Sequence, residues 1–327
     1  MKRSARVFCA LLGGMIVFGL APVPSGAQDY PTRPVEIIVG PEPGSSTDLA
    51  SRAVASVISE YLGKPAVVIN KVGGSNLIAG DYVMRQAKPD GYTIWHSGIT
   101  ITAPELYVKF RPAPFTSKEV EPVAAFSAYI TCFVVHGDSP WNSIKDLVEY
   151  ARQHPGLKFG VPGVATMGEI MGKSLANVAN IKLVSLPAKG EAESVTMLLG
   201  KNIDFDVVSL GPVMPHLDSK KLKVLGVVAP KRIPQCPDVP TVQEQGYNLG
   251  IGSFLFGAFV RKGTPVNIIQ RLSDAYRKTC EHKTYISQMT KLGLPVHYED
   301  HATFSKSYVR DIEAVRKMFV QLGYLPN

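Results

Sequence analysis

The sequence predicts an α/β fold in which strands and helices alternate along nearly the whole chain. Short runs of β-branched and aromatic residues are bounded by Gly, Pro or Asn, and longer segments carry apolar residues at helical spacing, as at Leu147, Tyr150 and Ala151. Short β–α–β alternation is typical of a mainly parallel sheet with helices on its faces. Ligands bind such sheets beyond the carboxyl ends of the strands, so the loops before helices are the candidate functional regions.

Each predicted element is a segment with one of these two patterns. The predicted strands are residues 35–39, 66–70, 93–97, 123–126, 131–136, 159–161, 181–186, 205–209, 222–228 and 254–260. The predicted helices are residues 48–62, 77–86, 144–154, 167–178, 191–199, 239–245, 265–279, 283–291 and 301–322. No internal repeat or low-complexity tract interrupts the alternation.

The first 27 residues have the pattern of a secretion signal. Lys2, Arg3 and Arg6 form a basic start, and the apolar stretch 7–20 is shorter than a membrane-spanning helix requires. Small residues precede the predicted cleavage site after Ala27. An uncleaved anchor helix is the alternative interpretation. We therefore predict an exported protein whose mature part has 300 residues (327 minus 27), long enough for two domains.

Composition argues against nucleic-acid, metal and cofactor binding. The net charge of +8 falls to +5 when the three basic residues of the signal are removed (8 minus 3), and the remaining basic residues are scattered and form no stripe. The three cysteines of the mature part, Cys132, Cys236 and Cys280, have no zinc-like spacing, and the seven histidines are dispersed. We expect no metal and no cofactor, and either one disulfide or three free thiols.

Catalytic motifs are largely missing from the sequence. It contains neither a G-x-S-x-G nucleophile turn nor a G-x-G-x-x-G dinucleotide loop. Residues 168–174 resemble a phosphate-binding loop, but three residues separate the glycines instead of four, and the segment has the pattern of a helix interior. We therefore predict a protein that is not an enzyme.

The loop after the first predicted strand has the chemistry of a small-ligand site. Gly44, Ser45, Ser46 and Thr47 offer backbone N–H groups and hydroxyls directly before a predicted helix, which Asp48 is expected to cap. Unsatisfied N–H groups at a helix start suit a small polar or anionic ligand. In an exported protein, this loop indicates capture of a small molecule.

Nine short motifs follow one another in an order that is known from one protein family. The most specific are Lys-Pro-Asp-Gly-Tyr-Thr at residues 88–93 and Pro-Asp-Val-Pro-Thr-Val-x-Glu-x-Gly at residues 237–246. The others lie at residues 30–39, 43–48, 70–73, 159–163, 187–190, 215–216 and 263–265. Together they resemble the Bug/TctC family, the periplasmic solute-binding proteins of tripartite tricarboxylate transporters, over essentially the whole mature chain.

This resemblance implies a type II periplasmic binding protein clamshell, in which two α/β domains are joined by a two-strand hinge. Residues 28–126 and 254–327 would form the first domain, and residues 127–253 the second. The ligand, an organic or aromatic carboxylate, an amino acid or an amide, would be held between the domains of a monomer in the periplasm. The liganded form would then be presented to the membrane permease of a tripartite tricarboxylate transporter.

The resemblance also implies where the ligand is held, namely in facing loops between strands and helices. The expected ligand-binding residues are Pro41, Gly44, Ser45, Ser46, Thr47, Ser97, Thr100 and Thr102 in the first domain, and Gly163, Val164, Ala165, Thr166, Glu169, Ala188 and Ser209 in the second. Several depart from the family pattern. Glu169 stands where the family often has a histidine, and Ala188 where it often has a tyrosine.

The charge near these loops bears on the ligand. Glu42, Glu169 and Glu191 bring negative charge to or near the expected site, and an unpaired buried glutamate repels a dicarboxylate. We therefore hypothesise either a monocarboxylate with an amino or amide group, or an aromatic acid that fills the space at Ala188. Alternatively, the glutamates face solvent or pair with Lys173 and Lys189.

Two other functions remain open on sequence grounds. The first is a periplasmic sensor that presents its liganded form to a signalling receptor, because sensing and transport use the same closed form. The second is a secreted hydrolase on an α/β frame, which the missing nucleophile–base set disfavours.

Overall fold

The strands of the protein form two separate sheets. The computed structural model describes residues 30–110, 112–250 and 254–326, and the predicted signal segment with its cleavage site lies outside this part. In chain order the strands are β1 (Val35–Val39), β2 (Ala66–Asn70), β3 (Thr93–Gly98), β4 (Val120–Tyr129), β5 (Thr131–His136), β6 (Leu157–Val161), β7 (Leu183–Pro187), β8 (Phe205–Ser209), β9 (Leu222–Val228), β10 (Phe254–Arg261) and β11 (Val296–Glu299). The sheet orders are β11-β4-β10-β3-β1-β2 and β7-β6-β8-β5-β9.

Helices follow most of these strands. They are α1 (Ser46–Leu62), α2 (Leu77–Asp81), α3 (Ile144–Gln153), α4 (Met167–Ala179), α5 (Glu191–Leu199), α6 (Met214–Leu217), α7 (Val266–Glu281), α8 (Lys283–Lys291) and α9 (His301–Gln321). Helix α2 continues into one wider π-helical turn, Tyr82–Gln86. We call the six-stranded sheet with its helices the first lobe, and the five-stranded sheet with its helices the second lobe. The chain passes between the lobes from β4 to β5 and again before β10; the predicted domain limits after residue 126 and before residue 254 remain predictions.

The prediction of mainly parallel sheets is wrong, because both sheets are mixed. In the first lobe, β1 runs parallel to β2 and β3, whereas β10 runs antiparallel to β3 and β4, and β11 antiparallel to β4. In the second lobe, β6 is parallel to β7 and β8, but β5 is antiparallel to β8 and β9. Because β4 leaves the first lobe and β10 returns to it, these two neighbouring strands run in opposite directions.

One predicted element is wrong, and two short elements were not predicted. Residues 239–245 form turns instead of a helix, and Thr241 makes an isolated parallel bridge to Val227. Pro240 has no N–H group to contribute to a helix, and its carbonyl accepts a hydrogen bond from the Val227 N–H. Strand β11 and helix α6 were not predicted, because four residues are too few to show a clear apolar period.

Aliphatic residues at the centre of the first sheet form its core. Val35, Ile37, Ile38 and Val39 of β1 are completely buried. Neighbouring residues of a strand point to opposite faces, so both faces of the sheet must be covered at Ile37 and Ile38. Each such side chain contributes about 1.5–3 kcal/mol through burial.

A buried histidine links the centre of this sheet to two helices. His96 of β3 forms hydrogen bonds with the Ser51 hydroxyl of α1 at 2.9 Å and with the Tyr276 hydroxyl of α7. Burial lowers the pKa of His96 from 6.5 to about 3, so the ring stays neutral at physiological pH. His96 therefore fixes the position of α1 relative to the end of β3.

In the second lobe, aromatic rings stack across adjacent strands. Phe159 and Phe205 lie with ring centroids 5.4 Å apart, and Phe205 and Phe133 with centroids 6.4 Å apart. Gly172 in α4 makes this packing possible, because a β-carbon there would overlap the Phe159 ring. The close approach places α4 firmly on β6.

The end of the chain packs on the second lobe as well. Phe319 of α9 contacts Tyr107 edge-on at 4.9 Å between ring centroids, and Tyr324 contacts Phe110 in the same way at 4.8 Å. Tyr107 and Phe110 come from the segment between β3 and β4, and Tyr107, Phe319 and Tyr324 belong to the hydrophobic cluster of the second lobe that contains Phe133 and Phe159. The ammonium group of Lys173, in α4, donates a hydrogen bond to the Tyr324 hydroxyl. The last turn of the protein therefore contacts the second lobe although α9 begins in the first.

The sequence left two interpretations of the cysteines, one disulfide or three free thiols, and the structure shows three free thiols. Cys132, Cys236 and Cys280 are all unpaired and buried. Burial raises the pKa of Cys280 from 9.0 to about 12, which keeps this thiol protonated.

Within the described residues, no helix is both long and apolar enough to cross a membrane.

Candidate functional site

A cavity of about 460 Å³ lies between the two lobes. Its size is in the range of small-molecule sites in proteins. The walls come from loops beyond the carboxyl ends of strands in both lobes, and from the start of β10: Gly40, Pro41, Glu42, Ser45, Thr47, Val72, Gly73, Gly74, Asn76, Gly98, Thr100, Ile101, Tyr129, Pro162, Gly163, Val164, Thr166, Met167, Pro187, Ala188, Lys189, Gly190, Glu191, Phe254 and Phe256. A separate cavity of about 280 Å³ beside β9 belongs to one lobe and has no charged side chain in its walls.

The structure brings part of the expected site to this cavity. The expected residues that line it are Pro41, Ser45, Thr47, Thr100, Gly163, Val164, Thr166 and Ala188. The expected residues outside its walls are Gly44, Ser46, Ser97, Thr102, Ala165, Glu169 and Ser209. Of these, Ser97 and Thr102 are buried and donate hydrogen bonds to carbonyl groups of their own loop, those of Gly98 and Ile99.

The first loop is held in shape by Asp48, which is not the helix cap that the sequence indicated. Helix α1 begins at Ser46, and the Ser45 side chain accepts a hydrogen bond from the Asp48 N–H as its N-cap. The Asp48 carboxylate itself accepts hydrogen bonds from the Gly44 N–H and the Asn70 amide, both at 2.9 Å. Burial acts to raise the pKa of Asp48, but hydrogen bonds, chiefly from Arg52, outweigh it and lower the pKa.

At the start of α1, the N–H group is bound by a carboxylate from the other lobe. The Ser46 N–H donates a hydrogen bond to Glu191 Oε2 at 2.9 Å. The Ser46 and Ser209 hydroxyls are hydrogen-bonded to each other at 2.5 Å, which also joins the two lobes. Ser46 and Ser209 are therefore buried between the lobes beside the cavity and not in its wall.

The start of α5 mirrors this arrangement. The Glu191 N–H, at the first position of α5, donates a hydrogen bond to Glu42 Oε1 of the first lobe at 3.0 Å. The Glu42 carboxylate occupies the space that a side chain at Gly190 would fill. Each lobe thus contributes one glutamate that binds the helix start of the other lobe, where the partial positive charge of a helix favours an anion.

The environment of Glu191 opposes its negative charge. Burial raises the pKa of Glu191, and the nearby charge of Glu42 raises it further. Hydrogen bonds to its carboxylate from Ser209, the Ser46 N–H and Tyr129 counteract part of this rise. The Tyr129 hydroxyl, at the passage from β4 to β5, donates to Glu191 Oε1 at 3.1 Å.

The start of α4 differs from the other two helix starts. Among the described residues, no carboxylate of the other lobe binds the start of this 13-residue helix, and its N-cap residue Thr166, like that of α5, makes no side-chain cap hydrogen bond. Ala165 has a φ of 56°, a conformation that non-glycine residues seldom adopt and that marks local strain. Gly163, Val164, Thr166 and Met167 line the cavity, so the first turn of α4 borders it.

Glu169 does not add charge to the cavity wall. Its carboxylate accepts hydrogen bonds from the Ala165 N–H and from the Ser185 hydroxyl. It also forms an ion pair with Lys173 at 2.9 Å. Glu42 and Glu191 are therefore the carboxylates in the wall, and Lys189 is the cation there, among the residues that the structure describes.

Uncommitted polar groups complete the wall. Within the described ranges, the hydroxyls of Thr47 and Thr100 and the side-chain amide of Asn76 line the cavity without a hydrogen-bond partner in the protein. The wall also contains apolar side chains, those of Val72, Ile101, Met167, Phe254 and Phe256. The cavity can hold a small molecule with an apolar body and polar ends.

Sequence reasoning missed several wall residues. The 72–76 loop follows β2 next to β1, so the rule that ligands bind at carboxyl ends of strands already applied to it. Phe256 contacts Tyr129 edge-on at 5.3 Å between ring centroids, where the chain passes between the lobes. No local pattern marks these two aromatic residues as wall residues.

Among the described residues, no cluster of His, Cys, Asp and Glu is arranged to hold a metal ion.

Comparison with known proteins finds a matching family, relatives in other bacteria and solved structures of similar fold. The model of the tripartite tricarboxylate transporter family receptor matches residues 50–322. The chain is 28% identical over 308 residues to a Cupriavidus necator protein described as "UPF0065 protein in gbd 5'region", with 93% of each chain covered. The solved periplasmic binding protein BugD is 28% identical, with a TM-score of 0.80 over 90% of this chain and 99% of BugD.

A more distant structure shares the fold. An R. palustris protein solved with adipate is 24% identical and has a TM-score of 0.82, covering 90% of this chain and 99% of its own. These structures confirm the predicted two-domain α/β clamshell.

Proposed function

Because the chain belongs to the tripartite tricarboxylate transporter receptor family, we propose that it captures a small organic acid or a related polar metabolite and delivers it to a tripartite tricarboxylate-type transporter. The cavity of about 460 Å³ between the lobes carries this proposal, since loops from both lobes build it. A molecule enclosed there contacts both lobes at once and so favours the closed form, which is the condition for coupling binding to closure.

The start of α4 is the position that we propose for the ligand's carboxylate. The starts of α1 and α5 already bind Glu191 and Glu42, whereas no carboxylate of the other lobe binds the start of α4 among the described residues. Glu169 of α4 itself is engaged by the Ala165 N–H and by Lys173. N–H groups of a first helical turn have no partner inside the helix, and the helix dipole favours an anion there. The hydroxyls of Thr47 and Thr100 supply further hydrogen bonds from the facing lobe.

The proposal includes location and partners. The protein acts in the periplasm as a monomer after cleavage behind Ala27, and its closed, liganded form is recognised by the membrane permease. The family members and structural neighbours are binding proteins and not enzymes, and we propose that the chain binds its ligand without converting it. Release of a chemically altered ligand by the purified protein contradicts this part of the proposal.

A thermal-shift screen of the mature protein tests the proposal. Small aliphatic and aromatic carboxylates, amino acids and amides are added one at a time. A ligand at about 100 times its dissociation constant adds roughly 2.7 kcal/mol to the free energy of unfolding, which raises the melting temperature measurably. If no compound of these classes raises it, the proposed function is wrong.

A matched pair of variants locates binding in the cavity. Ala188→Asp places a new carboxylate in the wall next to Gly163 and the loop before α4, where we place the ligand's carboxylate. It is therefore expected to weaken the binding of an acidic ligand at least tenfold. Ala192→Asp makes the same chemical change at an exposed position of α5, outside the wall, and is expected to leave affinity unchanged. Equal effects of the two variants contradict binding in this cavity.

A further inference from the structure

We propose that Glu42 and Glu191 determine the class of ligand, by selecting a molecule whose second end carries an ammonium or carboxamide group instead of a second carboxylate. This inference rests on the proposed function, because it takes the cavity between the lobes as the binding site and concerns the end of the ligand opposite α4.

The first reason is that two helix starts suited to a ligand carboxylate are already occupied. Glu191 Oε2 accepts the Ser46 N–H of α1 at 2.9 Å, and Glu42 Oε1 accepts the Glu191 N–H of α5 at 3.0 Å. Both glutamates line the cavity. A second ligand carboxylate finds protein carboxylates at the positions where α1 and α5 bind an anion best.

The second reason is the charge of this side of the cavity. Among the described residues, neither Glu42 nor Glu191 forms an ion pair with a Lys, Arg or His side chain, and Lys189 is the one cation in the wall. With two carboxylates and one lysine among its wall residues, the cavity has an excess of negatively charged side chains. A second ligand carboxylate is repelled here, whereas an ammonium group is attracted, and the low dielectric of a half-enclosed site strengthens both effects.

The third reason is available hydrogen-bonding capacity. Within the described part of the chain, Glu42 Oε2 has no hydrogen-bond donor, although Oε1 of the same group has one. An ionised carboxylate oxygen can accept more than one hydrogen bond and cannot donate any. A ligand group that pairs with Glu42 Oε2 must therefore bring hydrogen-bond donors, which a carboxylate lacks and an ammonium or carboxamide group supplies.

Matched pairs of probes test the inference. The members of a pair share one carboxylate and one carbon skeleton, and they differ at the other end, which is an ammonium group, a carboxamide or a second carboxylate. Linear skeletons with about three to six methylene groups, and a benzene skeleton, suit the size of the cavity. We expect the mature protein to bind the ammonium or carboxamide member at least tenfold more tightly than the dicarboxylate member, by titration calorimetry.

Three charge-neutralising variants identify the residues responsible. Glu42→Gln and Glu191→Gln are each expected to reduce this preference at least tenfold, because each removes one negative charge from the wall and keeps the size of the side chain. Glu149→Gln makes the same change at an exposed position of α3 and is expected to leave the preference unchanged. If Glu191→Gln does not fold by circular dichroism, the half-buried Glu42 supplies the same measurement.

The possible results separate the inference from the function beneath it. Dicarboxylates bound as tightly as their ammonium and carboxamide partners overturn the inference and leave the proposed function intact. Binding of no probe at all overturns both. A preference for ammonium or carboxamide probes that persists in both Gln variants shows that other residues determine the class of ligand.

Discussion

The backbone N–H of Ser46 and the Oε2 atom of Glu191 lie 2.9 Å apart, although the two residues belong to different lobes and are 145 positions apart in the chain. The reciprocal contact joins Glu42 to the start of α5. Both contacts are possible only when the lobes are together. The closed arrangement is therefore stabilised by the protein's own carboxylates, and a ligand adds to an interface that already exists.

The first prediction concerns the hydroxyl contact beside this pair. Ser209→Ala removes the group that meets the Ser46 hydroxyl between the lobes. The closed form is expected to lose about 1 kcal/mol, so that ligand affinity falls roughly fivefold and the average form of the free protein becomes more open. Calorimetry and small-angle scattering measure these effects. Ser219→Ala, at an exposed position, is the control, and an unchanged affinity for Ser209→Ala contradicts the prediction.

The second prediction concerns a hydroxyl in the cavity wall. Thr47→Val keeps the shape of the side chain and removes the hydroxyl, which has no partner in the described part of the protein. Affinity is expected to fall by about 1 kcal/mol, with the melting temperature of the free protein nearly unchanged. Thr290→Val on the exposed side of α8 provides the matched control. A similar change in both variants argues against a direct contact between Thr47 and the ligand.

A different result is expected for the loop glycine next to this site. Gly44 has a φ of 87°, and a β-carbon there meets no atom within 4 Å. Gly44→Val therefore strains the backbone, at a cost of about 1–2 kcal/mol in the free energy of unfolding, without filling the cavity. Denaturant unfolding and ligand titration together distinguish this effect from blocked binding, which appears as lost affinity at unchanged stability.

The fourth prediction concerns pH. Asp206 is buried in β8, and its Oδ1 accepts a hydrogen bond from the Ser194 hydroxyl at 2.7 Å, whereas Oδ2 has no partner in the described structure. Burial raises the pKa of Asp206 from 3.8 to about 7. The folded state holds the proton more tightly, so this group's contribution to stability is complete below pH 3.8 and is lost as the pH rises through 7.

Asp206→Asn removes this titration. Relative to wild type, the variant is expected to gain roughly 2–3 kcal/mol in the free energy of unfolding between about pH 5 and about pH 8. Urea unfolding at both pH values measures the difference, and the exposed Asp218→Asn is the control. A stability difference between variant and wild type that does not vary with pH shows that Asp206 is ionised in the folded protein throughout this range.

The fifth prediction concerns the end of the chain. Tyr324 packs against Phe110 and Phe319 and accepts a hydrogen bond from Lys173. Tyr324→Ala is expected to lower the free energy of unfolding by about 3 kcal/mol, because it leaves a cavity. Tyr324→Phe keeps the ring and is expected to cost no more than about 1.5 kcal/mol. Equal stability of both variants in urea contradicts a structural role for the ring.

The sequence predicted the parts of the site that depend on local pattern. The strand before Gly40, the polar loop and the following helix were recognisable, since a buried apolar run and a helix start have local signals. The positions of Ser46 and Ser209 were not predictable in this way. Both residues are among the expected ligand-binding residues, but their mutual hydrogen bond depends on how the two lobes meet.

The same limit explains why the roles of the two glutamates could not be predicted. The sequence placed Glu42 and Glu191 near the site, but nothing local indicates that each binds the helix start of the other lobe.

The direction of the strands could not be predicted from local patterns either. A run such as β10 is equally apolar in a parallel or an antiparallel sheet, and its direction follows from the passage of the chain between lobes.

The burial of all three thiols has a practical consequence for detecting small molecules. Cys132, Cys236 and Cys280 are shielded from thiol-reactive dyes in the folded protein. A single cysteine introduced at Val164, which is 44% exposed and lines the cavity, would therefore be the one site that takes up a fluorophore among the described residues. Capture of a ligand changes the surroundings of such a dye, so the protein is a suitable scaffold for a reagentless optical sensor.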